Sequence, residues 1–337
     1  MVRLLLVATT AYALQRSHVI MQSGVSASKG FVRSLFSPLS HLSRSIQNLF
    51  AYKTRNDAEL KEGIAGFYDK SSAIWLDVWG EHMHHGYYPS ASYKDHNAAQ
   101  IDMIDRSLDF AFAHDTTFKP RTMVDVGCGV GGSSRHIARK LNVTGEGLSL
   151  SPYQIKRAQR FTQEQNLSHA LRYAVNDAMN MPFKDESFDL TWSMESGEHT
   201  PDKKRFMQEL VRVTAPGGRI IVVTWCHREL KADEKSLQPK ELRLLDKIND
   251  AYFLPAWVPG SLYVKLAREL GLEDIKYDDW SEFIAPFWPA VFKSALKPLN
   301  FVRSQTFLLF LIAICTVYSM FLQYSSMLAR FGCFALV

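Results

Sequence analysis

The stretch Thr122-Met-Val-Asp-Val-Gly-Cys-Gly-Val-Gly-Gly-Ser-Ser134 constrains the fold more than any other part of the chain. It reads as an apolar strand, an acidic residue, a glycine-rich turn and the start of a helix. Residues without a Cβ let a ligand approach the backbone closely, and the first turn of the helix offers unpaired N–H groups to it. Further strands alternate with helical patterns. The strands are Met123–Val126, Val143–Leu148, Leu171–Val175, Phe188–Ser193, Arg219–Trp225, Leu272–Trp280 and Leu328–Val337. Helical periodicity covers Ser133–Leu141, Pro152–Gln165 and Pro201–Thr214. This alternation predicts an α/β fold, a doubly wound and mostly parallel seven-stranded sheet. Asp57–Phe67 reads as a helix placed to act as an N-terminal lid. Cys226–Trp257 is a charged insertion after the fifth strand, beyond the carboxyl edge of the sheet, where it would cover a ligand.

Which ligand the turn holds depends on Asp125. Gly127, Gly129 and Gly132 satisfy the G-x-G-x-x-G spacing of a dinucleotide site, which is weak evidence alone. A carboxylate two residues before the first glycine would repel a phosphate and suit the ammonium of a methionine moiety. The pattern resembles motif I of class I S-adenosylmethionine (SAM) methyltransferases. That resemblance implies a methionine end formed by Asp125, Gly127, Cys128, Gly129 and Gly131. After the second strand Ser149 stands where many such enzymes carry an acid for the ribose. After the third, Asp177 is placed to accept from the adenine amino group, or else merely to cap a helix.

Methyl transfer needs the acceptor atom aligned with the methyl group, and a base if the acceptor must lose a proton. Following the fourth strand, Trp192-Ser-Met-Glu-Ser-Gly-Glu-His199 brings Glu195, Glu198 and His199 to the loop facing that space. His199 is the candidate base and Glu195 the candidate contact to cofactor or acceptor. Tyr68, Tyr87 and Tyr88 belong to an aromatic segment that would close over a sulfonium, since aromatic faces attract cations. His82, His84 and His85 lie close together without the cysteine or carboxylate frame of a metal site, so no metal is expected.

From Met1 to Asn56 there is no Asp or Glu, while Arg and Lys recur and serine is frequent. That composition is expected of an organelle transit peptide, with a disordered basic tail as the alternative. The catalytic domain would then span 57–337. Cysteines 128, 226, 315 and 333 have neither metal nor disulfide spacing, which suits a reduced compartment. Phe307–Leu322 is a continuous apolar run, short of the roughly 20 residues that span a bilayer. A buried helix, a segment lying in a membrane surface and a spanning helix all remain open for it. With the leader set aside no basic stripe is left to hold nucleic acid.

The motifs Phe67-Tyr-Asp-Lys-Ser-Ser72, Trp79-Gly-Glu-His-Met-His-His-Gly-Tyr-Tyr88, Val124–Ser134, Trp192–His199, Val223-Thr-Trp-Cys-His-Arg228 and Ala285-Pro-Phe-Trp-Pro-Ala290 occur in this order. Together they resemble the gamma-tocopherol methyltransferases of plastids, over about residues 60–295 and again at the terminal strand. Phe301–Gln323 is more apolar than the family pattern. The resemblance implies transfer of a methyl group from SAM to the chromanol ring of gamma- or delta-tocopherol, in the chloroplast; contact with the envelope membrane surface is a separate expectation, which the apolar run leaves open. Trp257, Phe287 and Trp288 would line the pocket for this lipid-like phenol. An amine or a sterol is the alternative acceptor, and a non-catalytic SAM-binding membrane protein the alternative role.

Overall fold

The computed structural model describes residues 55–90, 95–113, 115, 117–287, 289–291 and 329–336. The leader, apart from Arg55 and Asn56, the apolar run 307–322 and Trp288 lie outside the described residues.

Seven strands form one sheet: β1 Thr122–Val126, β2 Thr144–Ser149, β3 Leu171–Val175, β4 Phe188–Met194, β5 Thr214–His227, β6 Lys276–Asp279 and β7 Ala329–Leu336. Their order is β3-β2-β1-β4-β5-β7-β6. β7 runs antiparallel to β5 and β6, and the other pairings are parallel. This is the mostly parallel sheet expected from the alternation. Because the chain moves outward from β1 to β3 and then returns to place β4 on the other side of β1, the order reverses between β1 and β4. A crevice opens there at the carboxyl ends of the strands.

Both faces are covered, which is why the strands are apolar on alternate residues in both directions. Met123, Ile221 and Val223 pack on one face with Met103 and Leu108 of α2 (His96–Phe112) and Ile137 of α3 (Gly132–Leu141). Val124, Ile220 and Val222 pack on the other with Phe206 and Leu210 of α5 (Lys203–Val213) and Leu266 of α7 (Gly260–Glu269). The helix between β2 and β3 is α4, Pro152–Glu164.

Two boundaries differ for identifiable reasons. α5 begins at Lys203 because the Asp202 carboxylate accepts the Arg205 N–H at 2.9 Å and fixes its N-cap. The N-terminal helix α1 runs over Asp57–Trp79, twice the length predicted. Asn56 and Glu59 close a reciprocal capping box at its start. Gly63 weakens its sequence signal, yet a Cβ there would lie 2.4 Å from the Phe253 ring, so the helix needs that glycine to pack. The insertion after β5 contains α6 (Pro239–Tyr252), and a short helix α8 (Ser281–Ile284) follows β6.

Candidate active site

A cleft at the reversal point encloses roughly 1080 Å³ of atom-free space, its open mouth included. Its floor is the glycine turn. Gly127 has φ +88°, and a Cβ on it would lie 2.2 Å from the Ser196 side chain, whose hydroxyl donates to the Val126 carbonyl at 2.8 Å. Gly129, at φ +54°, meets nothing within 4 Å, so this backbone faces open room. Gly131 does not line the cleft; it is the left-handed N-cap of α3, and a Cβ there would run into Tyr173. Asp125 lies beneath the turn, 1% exposed, and accepts from the Ser134 hydroxyl at 2.5 Å. Burial pushes its carboxyl up to about 7 against the pull of Ser134. A cationic ligand group beside it would restore the carboxylate. Cys128 lines the same floor, its thiol pushed up by burial.

Along the wall, the Ser149 hydroxyl donates to Gln154 Oε1 at 2.8 Å and accepts the Ser151 N–H at 3.2 Å. Gln154 also lines the cleft. The sequence hides it, because Ser151-x-x-Gln154 reads as a helix capping box, and the Ser151 hydroxyl does accept the Gln154 N–H at 3.1 Å. At the far end Asp177 accepts the Met179 N–H at 2.9 Å and pairs with Lys61 of α1 at 2.5 Å. Asp177 therefore caps the loop through one oxygen and faces a lid cation through the other. Lys61 was not singled out from sequence, although Leu60, Lys61, Ile64 and Tyr68 share one face of α1 and all line the cleft.

At the opposite end the Tyr68 hydroxyl meets His199 Nε2 at 2.9 Å. His199 closes a 3₁₀ turn, Gly197–His199, and its Nδ1 has no partner among the described residues. Burial, and then the charge of Lys203, hold the imidazole down to about 3, so it is neutral at working pH. Burial, helped by the charges of Glu198 and Glu195, pushes the Tyr68 phenol above its ordinary value. Glu198 is pushed up to about 8 by burial and then by Glu195, and accepts from Thr224 at 2.8 Å.

Glu195 lines the cleft but has both oxygens engaged. Its Oε1 accepts the His85 N–H and its Oε2 pairs with His85 Nδ1, each at 2.8 Å. Burial raises its carboxyl, and the charge and hydrogen bonds of His85 outweigh that and bring it below the ordinary range. At φ +50° its backbone is left-handed, a strained state for a non-glycine residue. Its geometry makes it the anchor of the 82–85 segment.

The aromatic segment divides differently from the sequence expectation. Tyr68 reaches the cleft; Tyr87 and Tyr88 do not line it. Tyr87 stacks on Phe283 at 4.6 Å with the Arg106 guanidinium 5.6 Å from its ring, and Tyr88 is 2% exposed. The reason is local geometry: beyond Gly80 the chain is no longer helical, and His82 and His84 take the inward places. Phe287 is fully buried against Trp79 and His85, and Trp257 donates to Asn249 at 2.7 Å and packs on Trp225. Neither lines the cleft.

The relatives of the chain decide among the chemistries this cleft permits. Residues 124–222 match the family model described as "Methyltransferase domain". "Tocopherol O-methyltransferase, chloroplastic" of Arabidopsis thaliana is 52% identical over 244 residues, 70% of this chain and 70% of the relative. The chain belongs to the tocopherol methyltransferase family. "Ajmaline N-methyltransferase" of Rauvolfia serpentina, 43% identical over 73% of this chain and 86% of that one, is a further relative of this family. Geranyl diphosphate C-methyltransferase of Streptomyces coelicolor A3(2) shares the fold, with a TM-score of 0.65 at 19% identity over 84% of this chain and 99% of that structure. Like the rest of its family the protein is a SAM-dependent methyltransferase, and the open glycine backbone, buried Asp125 and acceptor Asp177 suit a long cofactor with a cationic end.

Proposed function

We propose that the protein methylates a ring carbon of the chromanol of gamma- or delta-tocopherol inside the plastid, reached by way of the basic leader. The single observation that carries the mechanism is the Tyr68–His199 hydrogen bond of 2.9 Å at the end of the cleft away from Asp177, where the methyl group would lie on this reading. The cofactor supplies an electrophilic methyl group on a sulfonium. A phenol carbon accepts it readily only when the neighbouring oxygen gives up its proton. His199 is neutral but by itself only a weak base, held down to about 3 by burial. It becomes an effective proton acceptor only with the phenolate it generates beside it as counter-charge, and Tyr68 carries the hydroxyl through which the substrate proton reaches Nε2. Methyl transfer to the ring carbon leaves S-adenosylhomocysteine; the ring hydrogen then departs as a proton to solvent, and the imidazolium returns its own proton through Tyr68 to the phenolate oxygen, so one proton is released per turnover.

For the cofactor, Gly127 and Gly129 would admit the methionine end, with Asp125 opposite its ammonium. Ser149 with Gln154 would stand at the ribose, and Asp177 would accept from the adenine amino group. Glu195, on this reading, fixes His85 and the segment over the cleft and takes no proton. Because the acceptor is a membrane lipid, we also propose contact with the envelope surface.

The test is a methyl-transfer assay on the full chain with labelled SAM and gamma-tocopherol, delta-tocopherol, a sterol and a simple amine. Product from the tocopherols alone supports the reading. Turnover of the amine alone would replace the phenol with a nitrogen acceptor on the same base.

A further inference from the structure

Lys203 begins α5, yet the residue is only 6% exposed and its side chain turns back into the protein. Its Nζ donates to the carbonyl oxygens of Gly197 at 2.9 Å, Glu198 at 3.0 Å and Thr200 at 2.6 Å. An ammonium has three protons and no lone pair, so every donor it owns is spent on the backbone of one turn. The arrangement is that of a desolvated monovalent cation in a carbonyl cage. A buried cation at a helix N-terminus faces the positive end of the helix, which disfavours it there. It is also not needed to start the helix, since Asp202 already caps it. What the ammonium does engage is the turn that carries His199.

We propose that Lys203 is a positioning residue: its ammonium clamps the 197–200 turn so that His199 is held against Tyr68 over the cleft. The clamp acts on both neighbours of the imidazole, through the carbonyls of Glu198 and Thr200. Its charge also opposes protonation of His199, which leaves the ring neutral and able to accept. Burial brings the Lys203 ammonium down to about 8, and Glu198 offsets only part of that; Glu198 makes no ion pair with it in the described residues, since its carboxyl goes to Thr224 instead. The importance of the clamp for turnover rests on His199 being the proton acceptor.

The test compares wild type with Lys203→Met, which keeps the stem and removes the charge. In the full chain with S-adenosylhomocysteine bound, ¹⁵N NMR of labelled histidine reports the tautomer and titration of His199 directly. Lys203→Met should move the His199 resonances and raise its titration, because an opposing charge has gone. Its kcat should fall about 10- to 100-fold, as misplacement by an ångström does, with the KM for SAM within about twofold. Unchanged His199 resonances together with a wild-type kcat would overturn the proposal. Should Lys203→Met fail to fold, Lys203→Arg keeps the charge but cannot aim three donors at one point. A comparable fall in its kcat supports the clamp, and a wild-type kcat overturns it. His199→Asn separates the two ideas: wild-type turnover there would remove the base reading, while the NMR displacement would still establish the clamp.

Discussion

Replacing Tyr68 by Phe removes one oxygen and leaves the packing of the ring on Phe67 and His199 in place. The lost contact is the 2.9 Å bond to His199 Nε2. Its net worth to folding is about 1 kcal/mol, rising toward about 3 kcal/mol because the imidazole nitrogen is left buried without a partner. Against a total of about 5–15 kcal/mol the domain stays folded. The effect on turnover is larger. If the hydroxyl conducts the substrate proton to Nε2, its removal costs about 10²- to 10⁴-fold in kcat, or about 2.7–5.4 kcal/mol at about 1.36 kcal/mol per decade. His199→Asn should cost a similar factor. Because both residues serve one proton, the double variant should lose about as much as either single one, where independent roles would add to about 5.4–11 kcal/mol. The assay is single-turnover methyl transfer to gamma-tocopherol from enzyme saturated with SAM, with SAM affinity checked by calorimetry. A Tyr68→Phe rate within about threefold of wild type, at unchanged SAM affinity, would refute the pair as the proton path. So would a double variant that loses the sum.

Gly127→Ala should weaken SAM binding more than tenfold and lower stability by over about 2 kcal/mol, since left-handed backbone costs an L-residue about 1–2 kcal/mol and the new Cβ collides with Ser196. Gly217→Ala, at φ +75° with nothing within 4 Å, should cost the backbone term alone; equal losses in urea melts would contradict the close-approach argument. Asp177→Ala should weaken SAM about tenfold by calorimetry, about 1.4 kcal/mol. It should change stability by less than about 1 kcal/mol, because its Lys61 partner is 43% exposed; an unaltered affinity would count against the adenine contact. Glu198 supplies a pH test. Its folded carboxyl, near 8, binds a proton that the unfolded chain has released above its ordinary 4.5, so stability falls as pH rises between those values. From pH 6 to 8 the loss is on the order of 2 kcal/mol, and Glu198→Gln should abolish it. Parallel urea midpoints for the two proteins would show the carboxyl to be ionised throughout.

The central strands β1, β4 and β5 were legible because each carries an apolar run bounded by a turn, and a central parallel sheet needs little more from its sequence. Leu171–Val175 was read to the residue. Only β6 shrank appreciably, since Leu272 hydrogen-bonds back to Ala267 and Asp274 turns left-handed before the strand starts. The glycine turn was legible for a related reason: Gly127 and Gly129 act through backbone, which spacing records. Side-chain partnerships between distant segments leave no such record. Ser149 looked like a vacancy for an acid until Gln154 was brought beside it, and Lys203 was not singled out at all, because the carbonyls it serves belong to a turn whose shape spacing does not record.

The lid shows most clearly what spacing alone withholds. Ending α1 at Phe67 makes Tyr68 the first residue of an aromatic loop, interchangeable with Tyr87 and Tyr88. Extending it to Trp79 puts Tyr68 two turns beyond Lys61, about 10.5 Å further along one axis at 1.5 Å per residue. That separation is long enough for a single helix to serve both ends of a bound nucleoside. Lys61 reaches Asp177 at one end and Tyr68 reaches His199 at the other, while Asp69, the next residue along, accepts from Ser151. Tyr68 is therefore distinguished from the other two tyrosines by the length of its helix. That length was set by tertiary contacts such as Ser72 with Gln154 and Trp79 against Phe287, which no local propensity contains.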